Sequence, residues 1–212
     1  MPVIGIWAVV AAIIGPFQNV LGWTISAALW PGYDPIAKTI SDLAADDSPV
    51  KWVQTSFFLL GSTLTLVAAW SARSLGKAAR ITLLLAGIAS FGFTIYATPT
   101  QTSYSDAHRF FASVAFLLFS IWPLVAIKRS RNYHWSLRPW GAIGATLVMG
   151  ATTIWFLLTW LEPGQPLVGL SERVIAVMQV LWLSFVIISQ YRFERRKKPD
   201  PGFTLEGEEL FG

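Results

Sequence analysis

Six stretches of the chain, 3–29, 52–72, 81–97, 108–127, 140–161 and 171–191, are apolar over about twenty residues each. A helix rising 1.5 Å per residue crosses the roughly 30 Å of bilayer hydrocarbon in about 20 residues. Lipid offers no partners to backbone N–H and C=O groups, so such runs must pair their own backbone as helices. Of the 212 residues, 54% are hydrophobic and only 13% charged, too little charge to cover a soluble domain of this length. The expected fold is all-α: a polytopic membrane bundle of six transmembrane helices over 1–191, joined by short loops into a single domain.

The basic residues set an orientation. Arg73, Lys77 and Arg80 lie between the second and third runs, Lys128, Arg129, Arg131 and Arg138 between the fourth and fifth, and Arg192, Arg195, Arg196, Lys197 and Lys198 after the sixth. The remaining loops carry mainly Asp and Glu. By the positive-inside rule both termini are cytoplasmic and the acidic loops face outward. The net charge of +4 is thus explained by topology, not by nucleic acid. The first run is longer than a signal-peptide core and lacks a basic leader, so it is read as a retained span. The tail over 192–212 turns from basic to acidic and is expected to be disordered, with its basic part near anionic lipid. With no cysteine there is no disulfide, thiolate metal site or cysteine nucleophile. Most of the tryptophans fall near helix ends, as interfacial anchors do.

One outer loop, "YDPIAKTISDLAADDSP" over 33–49, is conspicuously polar. Asp34 before Pro35 is a helix-start signal, and Ile36, Ile40 and Leu43 follow at i, i+4 and i+7. The spacing predicts a short amphipathic outer-loop helix over 35–44, lying at the interface as a lid with Lys38, Asp42 and Asp46 turned to polar partners.

Polar groups inside the spans mark the bundle interior. Gly15, Asn19, Gly22 and Ser26 form a small and polar stripe on the first span, and Gln18 adds an amide. Asn19, Gln179, Thr152 and Thr153 fall at similar depth, about 10 to 15 Å below the outer face. Two readings follow: interhelical hydrogen bonds, or the lining of a ligand cavity. At the outer ends, "SYSDAHRF" opens the fourth span with Ser103 and Asp106 at capping-box spacing, followed by His108 and Arg109. "GLSERV" opens the sixth with Ser171 as N-cap, then Glu172 and Arg173. A cation at a helix N-terminus calls for a partner, and Asp42, Asp106 and Glu162 are the acidic candidates for Arg173. Asp42, His108, Arg109, Glu172 and Arg173, with Asn19 and Gln179 deeper, are the candidate ligand-binding residues. One histidine on this side rules out a bis-histidine haem and a multi-histidine zinc site. It leaves His108, Asp42 and Glu172 as a conceivable metal set, and neither cofactor nor metal is expected.

Three of these stretches, the 33–49 loop with its Ile40-Ser41-Asp42-Leu43 motif, "SDAHRFFA" with His108, and "GLSERV" with Glu172 and Arg173, carry a resemblance. Together they resemble the bacterial and archaeal six-span proteins named domain of unknown function 998, over almost the whole chain. The resemblance implies an integral protein of a prokaryotic cytoplasmic membrane. A more distant likeness is to the Frag/DRAM/Sfk-type membrane proteins, which carry a similar ISD element and are associated with lipid handling. This chain has no Pro-Tyr immediately before its ISD, so no activity is carried over.

The residues support several functions. In the leading one, the outer mouth binds a lipid headgroup or small amphiphile, with Arg109 and Arg173 pairing with phosphate or carboxylate. In an enzymatic alternative, His108 acts as general acid or base with Asp42 or Glu172 as partner, and Ser41 or Ser105 as nucleophile, on a lipid-linked group. A serine oxygen within hydrogen-bond reach of His108 would favour the second. A small transporter using the mid-depth amides, or a structural subunit of a homo-oligomer or partner membrane protein, are further alternatives.

Overall fold

The computed structural model describes residues 3–196. All six runs are helices: α1 (Ile6–Ala28), α3 (Lys51–Ser71), α4 (Lys77–Ile95), α5 (Asp106–Val125), α6 (Pro139–Leu161) and α7 (Val168–Arg196), with the short α2 (Ile40–Leu43) between the first two. α7 continues through Arg192 to Arg196, so the start of the expected disordered tail is helical, and 197–212 lies outside the described residues. The long helices pack as a closed ring, each against its chain neighbours, with α7 returning to α1. Exposed Trp7, Phe17, Ile95, Trp140, Leu147 and Leu161 belong to its outer surface, as expected of a bundle whose solvent is lipid.

The ring is solid at one end and hollow at the other. At the end carrying the basic loops, Ala8, Ala12, Ala68, Ala69, Ala79 and Leu83 pack with fully buried Trp122 into one apolar cluster. Small alanines allow close helix approach. Trp122 is therefore a core residue here and not an interfacial anchor. Glu194 locks this end, accepting hydrogen bonds from the Ile4 N–H at 2.9 Å, the Gln190 amide at 2.9 Å and the Ser74 hydroxyl. Gln190 Oε1 in turn accepts from the His134 N–H at 2.8 Å. Four separate segments are thereby tied together.

The stripe on α1 faces inward as expected. Gly15, Gly22 and Ser26 are buried, and a Cβ on Gly22 would come within 2.8 Å of Phe57 on α3. Gln179 Nε2 donates to the Phe116 carbonyl at 2.9 Å and to Ser120 Oγ at 3.1 Å, and Ser120 meets Thr153 Oγ1 at 3.0 Å. α5, α6 and α7 are thus joined at mid-depth. From about this level toward the other end, the ring surrounds a cavity.

Candidate functional site: a lidded cavity with a serine and a histidine at its ceiling

The segment 33–44 folds over the hollow end, but not as one helix. Asp34 Oδ1 accepts from the Ile36 N–H at 2.8 Å, and Lys38 N–H donates to the Asp34 carbonyl at 2.9 Å, which closes a single turn. Thr39 then starts α2 with a complete capping box: Asp42 N–H donates to Thr39 Oγ1 at 3.1 Å and Thr39 N–H to Asp42 Oδ2 at 2.7 Å. A second cap inside the expected helix holds Thr39 in an extended conformation, which breaks the run at that residue. Ile40 and Leu43 are buried as the apolar stripe requires, whereas Ile36 is exposed.

Arg173 fastens this lid. The residue is 9% exposed, and its guanidinium donates to the Pro35, Lys38 and Gly169 carbonyls at 2.8, 2.9 and 2.9 Å, and to the Tyr33 hydroxyl at 2.7 Å. Tyr33 donates onward to the Thr39 carbonyl at 2.6 Å. The cation is answered by lid carbonyls and a phenol, not by an ion pair with Asp42, Asp106 or Glu162; among the described residues, Lys51 and Asp46 form the ion pair of this end, at 2.9 Å. The carbonyls reach Arg173 because Gly169 lets the lid backbone lie directly on α7: a Cβ there would fall 2.6 Å from the Pro35 oxygen. Burial pushes the Tyr33 phenol well above its ordinary value, opposed by Arg173. Burial likewise raises the Asp42 carboxyl, against the hydrogen bonds from Thr39.

α7 begins a turn earlier than its sequence suggests. Ser171 lies inside the helix, its hydroxyl donating to the Val168 carbonyl at 3.0 Å and meeting Thr159 Oγ1 at 2.6 Å, while Leu170 N–H is capped by the lid carbonyl of Ile36 at 3.0 Å. Glu172 is consequently inside the bundle, 5% exposed, accepting from the Ile40 N–H at the start of α2 and lying against the Ser41 hydroxyl. On α5 the cap is Ser105, accepting from His108 N–H at 3.3 Å, while Ser103 accepts from Thr100 N–H. Arg109 turns away from the lid centre and stacks on Tyr104 and Trp160, 3.7 and 4.7 Å from their ring centres.

His108 is 6% exposed, and both its nitrogens are occupied. Nδ1 faces the Phe93 and Tyr96 carbonyls at 2.9 and 3.2 Å, while Nε2 lies 3.0 Å from Ser41 Oγ. Carbonyl oxygens only accept, so Nδ1 carries the proton and the Nε2 lone pair is left to accept from the serine. Ser41 in turn lines the cavity, with His108 behind it.

That cavity, about 150 Å³, lies among α1, α3, α4, α5 and α7 beneath α2. Its ceiling holds Ser41 and Glu172, its walls include Phe57, Phe58, Phe93 and Phe116, and Gln18, Asn19, Gln54 and Gln179 supply amides. Of the candidate residues, Asn19, Glu172 and Gln179 line it directly, Asp42 and Arg173 shape its lid, His108 backs Ser41, and Arg109 lies apart. Among the described residues no group of three or more His, Cys, Asp or Glu is placed to hold a metal, and the carboxylate of Asp42 is engaged in its capping box. Gln54 and Tyr33 escaped the sequence reading. Gln54 carries the same signal as Gln18, a lone amide in an apolar span, and Tyr33 had only its place in the polar loop.

The ring of six apolar helices defines a multi-pass integral membrane protein, and the cavity beneath the lid, with its scattered polar groups, is the candidate site. The family described as "Protein of unknown function (DUF998)" matches residues 13–189, and the chain belongs to it. No curated protein and no solved structure matches the chain.

Proposed function

We propose that this protein is a membrane-embedded acyl hydrolase or acyltransferase acting on an amphiphilic ester, with Ser41 as nucleophile and His108 as its base. The observation that carries this reading is the 3.0 Å contact between Ser41 Oγ and His108 Nε2, in a tautomer fixed by two backbone carbonyls, at the ceiling of the cavity beneath α2. A serine is a weak nucleophile until a positioned base takes its proton, and an imidazole held from behind is such a base.

Ser41 Oγ attacks the acyl carbonyl carbon as its proton passes to His108 Nε2. The bond from that carbon to the alcohol oxygen breaks, and Nε2 returns the proton to the departing oxygen. Water or a second alcohol then repeats the sequence on the acyl-serine, releasing acid or a new ester. The imidazolium formed on the way is favoured by the Phe93 and Tyr96 carbonyls that face Nδ1. Amphiphile binding is the first step of this scheme, with the lid covering the bound ester. With the basic loops in the cytoplasm, the lid faces the outer side of the membrane.

The test is turnover of p-nitrophenyl butyrate by the protein in lipid nanodiscs. Ser41→Ala and His108→Gln each lower it by about 100-fold or more, while hydrogen exchange across 33–44 stays protected. Equal turnover by wild type and both variants refutes the assignment.

A further inference from the structure

The cavity beneath Ser41 carries more information than the dyad. Gln18 and Gln54 are 7% and 2% exposed, and the side-chain oxygens of Gln18, Asn19 and Gln54 have no hydrogen-bond partner among the described residues. Buried amides are rarely left so, and each of these three lines the same cavity. An amide offers both an acceptor and a donor, so whichever way each is turned it presents half of a hydrogen bond to whatever lies inside. Hydroxyl groups, which donate and accept at once, match such a lining.

The amides stand at different depths. Gln54 is within the first turn of α3, about 5 Å from its lid-side end, whereas Asn19 lies roughly 14 Å below the lid-side end of α1. A single water-sized donor does not reach both levels. Between them are aromatic faces, Trp23, Phe57 and Phe116 among them, against which the C–H faces of a polyol can lie.

Charge narrows the class further. Glu172 is the one ionisable side chain among the described residues lining the cavity, and no Lys or Arg lines it. The nearest guanidinium, that of Arg173, is turned to the Pro35 and Lys38 carbonyls and Tyr33. A phosphate or carboxylate brought inside would meet a carboxyl group and no cation, and an isolated buried anion is strongly disfavoured. We infer that the cavity binds an uncharged polyol, a glycerol or sugar moiety, as the alcohol part of the ester, and rejects anionic headgroups. This rests on the acyl-transfer reading for the word ester, while the preference for a neutral polyol stands on the lining alone.

Two probes that share an acyl chain separate the ideas: monooleoylglycerol, and the same molecule with a phosphate on its glycerol. Binding of each is measured on Ser41→Ala protein in nanodiscs, and oleate release on wild type. The expected result is binding of the neutral probe at least about tenfold tighter than the phosphate, and a similar loss for it in the Gln18→Leu and Gln54→Leu variants. Equal or tighter binding of the phosphate overturns the inference, as does binding of neither probe to folded protein. The comparison of probes on Ser41→Ala decides the matter even if a glutamine variant misfolds. Selective binding without any oleate release upholds the polyol site and rejects the chemistry. Release of oleate from both probes with equal affinity upholds the chemistry and rejects the polyol site.

Discussion

Replacing Arg173 with methionine keeps much of the side chain's length and removes its hydrogen bonds. Three of those cross from α7 to the lid: to the Pro35 carbonyl, the Lys38 carbonyl and the Tyr33 hydroxyl. Hydrogen bonds to a charged group contribute about 1.5 to 3 kcal/mol each. They share one guanidinium and are not additive, so the working estimate is the lower part of that range for two of them, about 3 kcal/mol. At 1.4 kcal/mol per factor of ten, lid opening rises roughly 100-fold. The loss is local because the rest of α7 keeps its packing in the apolar cluster at the other end through Leu183, Val186 and Ile187. The assay is amide hydrogen exchange in nanodiscs over peptides covering 33–48, where Lys38, Thr39, Ile40 and Asp42 N–H groups are all hydrogen-bonded. Arg173→Met speeds exchange there and leaves peptides from α4 unchanged. Unchanged exchange across the lid refutes the assignment of Arg173 as its fastening.

Gly169→Ala forces a Cβ against the Pro35 and Lys38 oxygens, displacing the lid; a loss of about 1 to 3 kcal/mol in thermal unfolding is expected. Glu194→Ala releases Ile4, Ser74 and Gln190 at the opposite end and lowers the melting temperature without changing lid exchange. Gln179→Leu removes the tie from α7 to α5 and costs about 0.6 to 2 kcal/mol, read from unfolding in detergent. Asp42 has a raised native pKa, so between its unfolded and native values the folded lid holds a proton the unfolded chain has lost. Lid protection therefore falls as pH rises through that window, and Asp42→Asn flattens the profile. Tyr33 is raised from a higher starting point, which adds a second fall above the ordinary phenol range that Tyr33→Phe abolishes.

The spans were legible because length and hydropathy are local properties: all six apolar runs are helices, displaced by a few residues at their ends. Caps were less so. Ser103 and Ser171 have the right spacing, yet Ser105 caps α5 and the α7 helix starts before Ser171, with the lid carbonyl of Ile36, not a side chain, accepting from its Leu170 N–H. The lid helix was divided by Thr39, a cap whose partner Asp42 is three residues on and visible in the sequence, but which competes with an equally valid start at Asp34. The meeting of Ser41 with His108 joins residues 67 positions apart, a juxtaposition set by the ring closing and by Gly169 admitting the lid. Arg173 shows the same limit: its charge called for a partner, and the partners proved to be backbone carbonyls and the Tyr33 hydroxyl, which an inventory of acidic side chains does not reveal.

The most direct measurement is the intact mass of the protein, in nanodiscs, after exposure to a fluorophosphonate, which a serine activated by a histidine attacks with loss of fluoride. If Ser41 is the nucleophile and His108 its base, one adduct forms, mapped to Ser41 and absent from His108→Gln. No adduct on folded wild type, or an adduct on another residue that survives in Ser41→Ala, would contradict it.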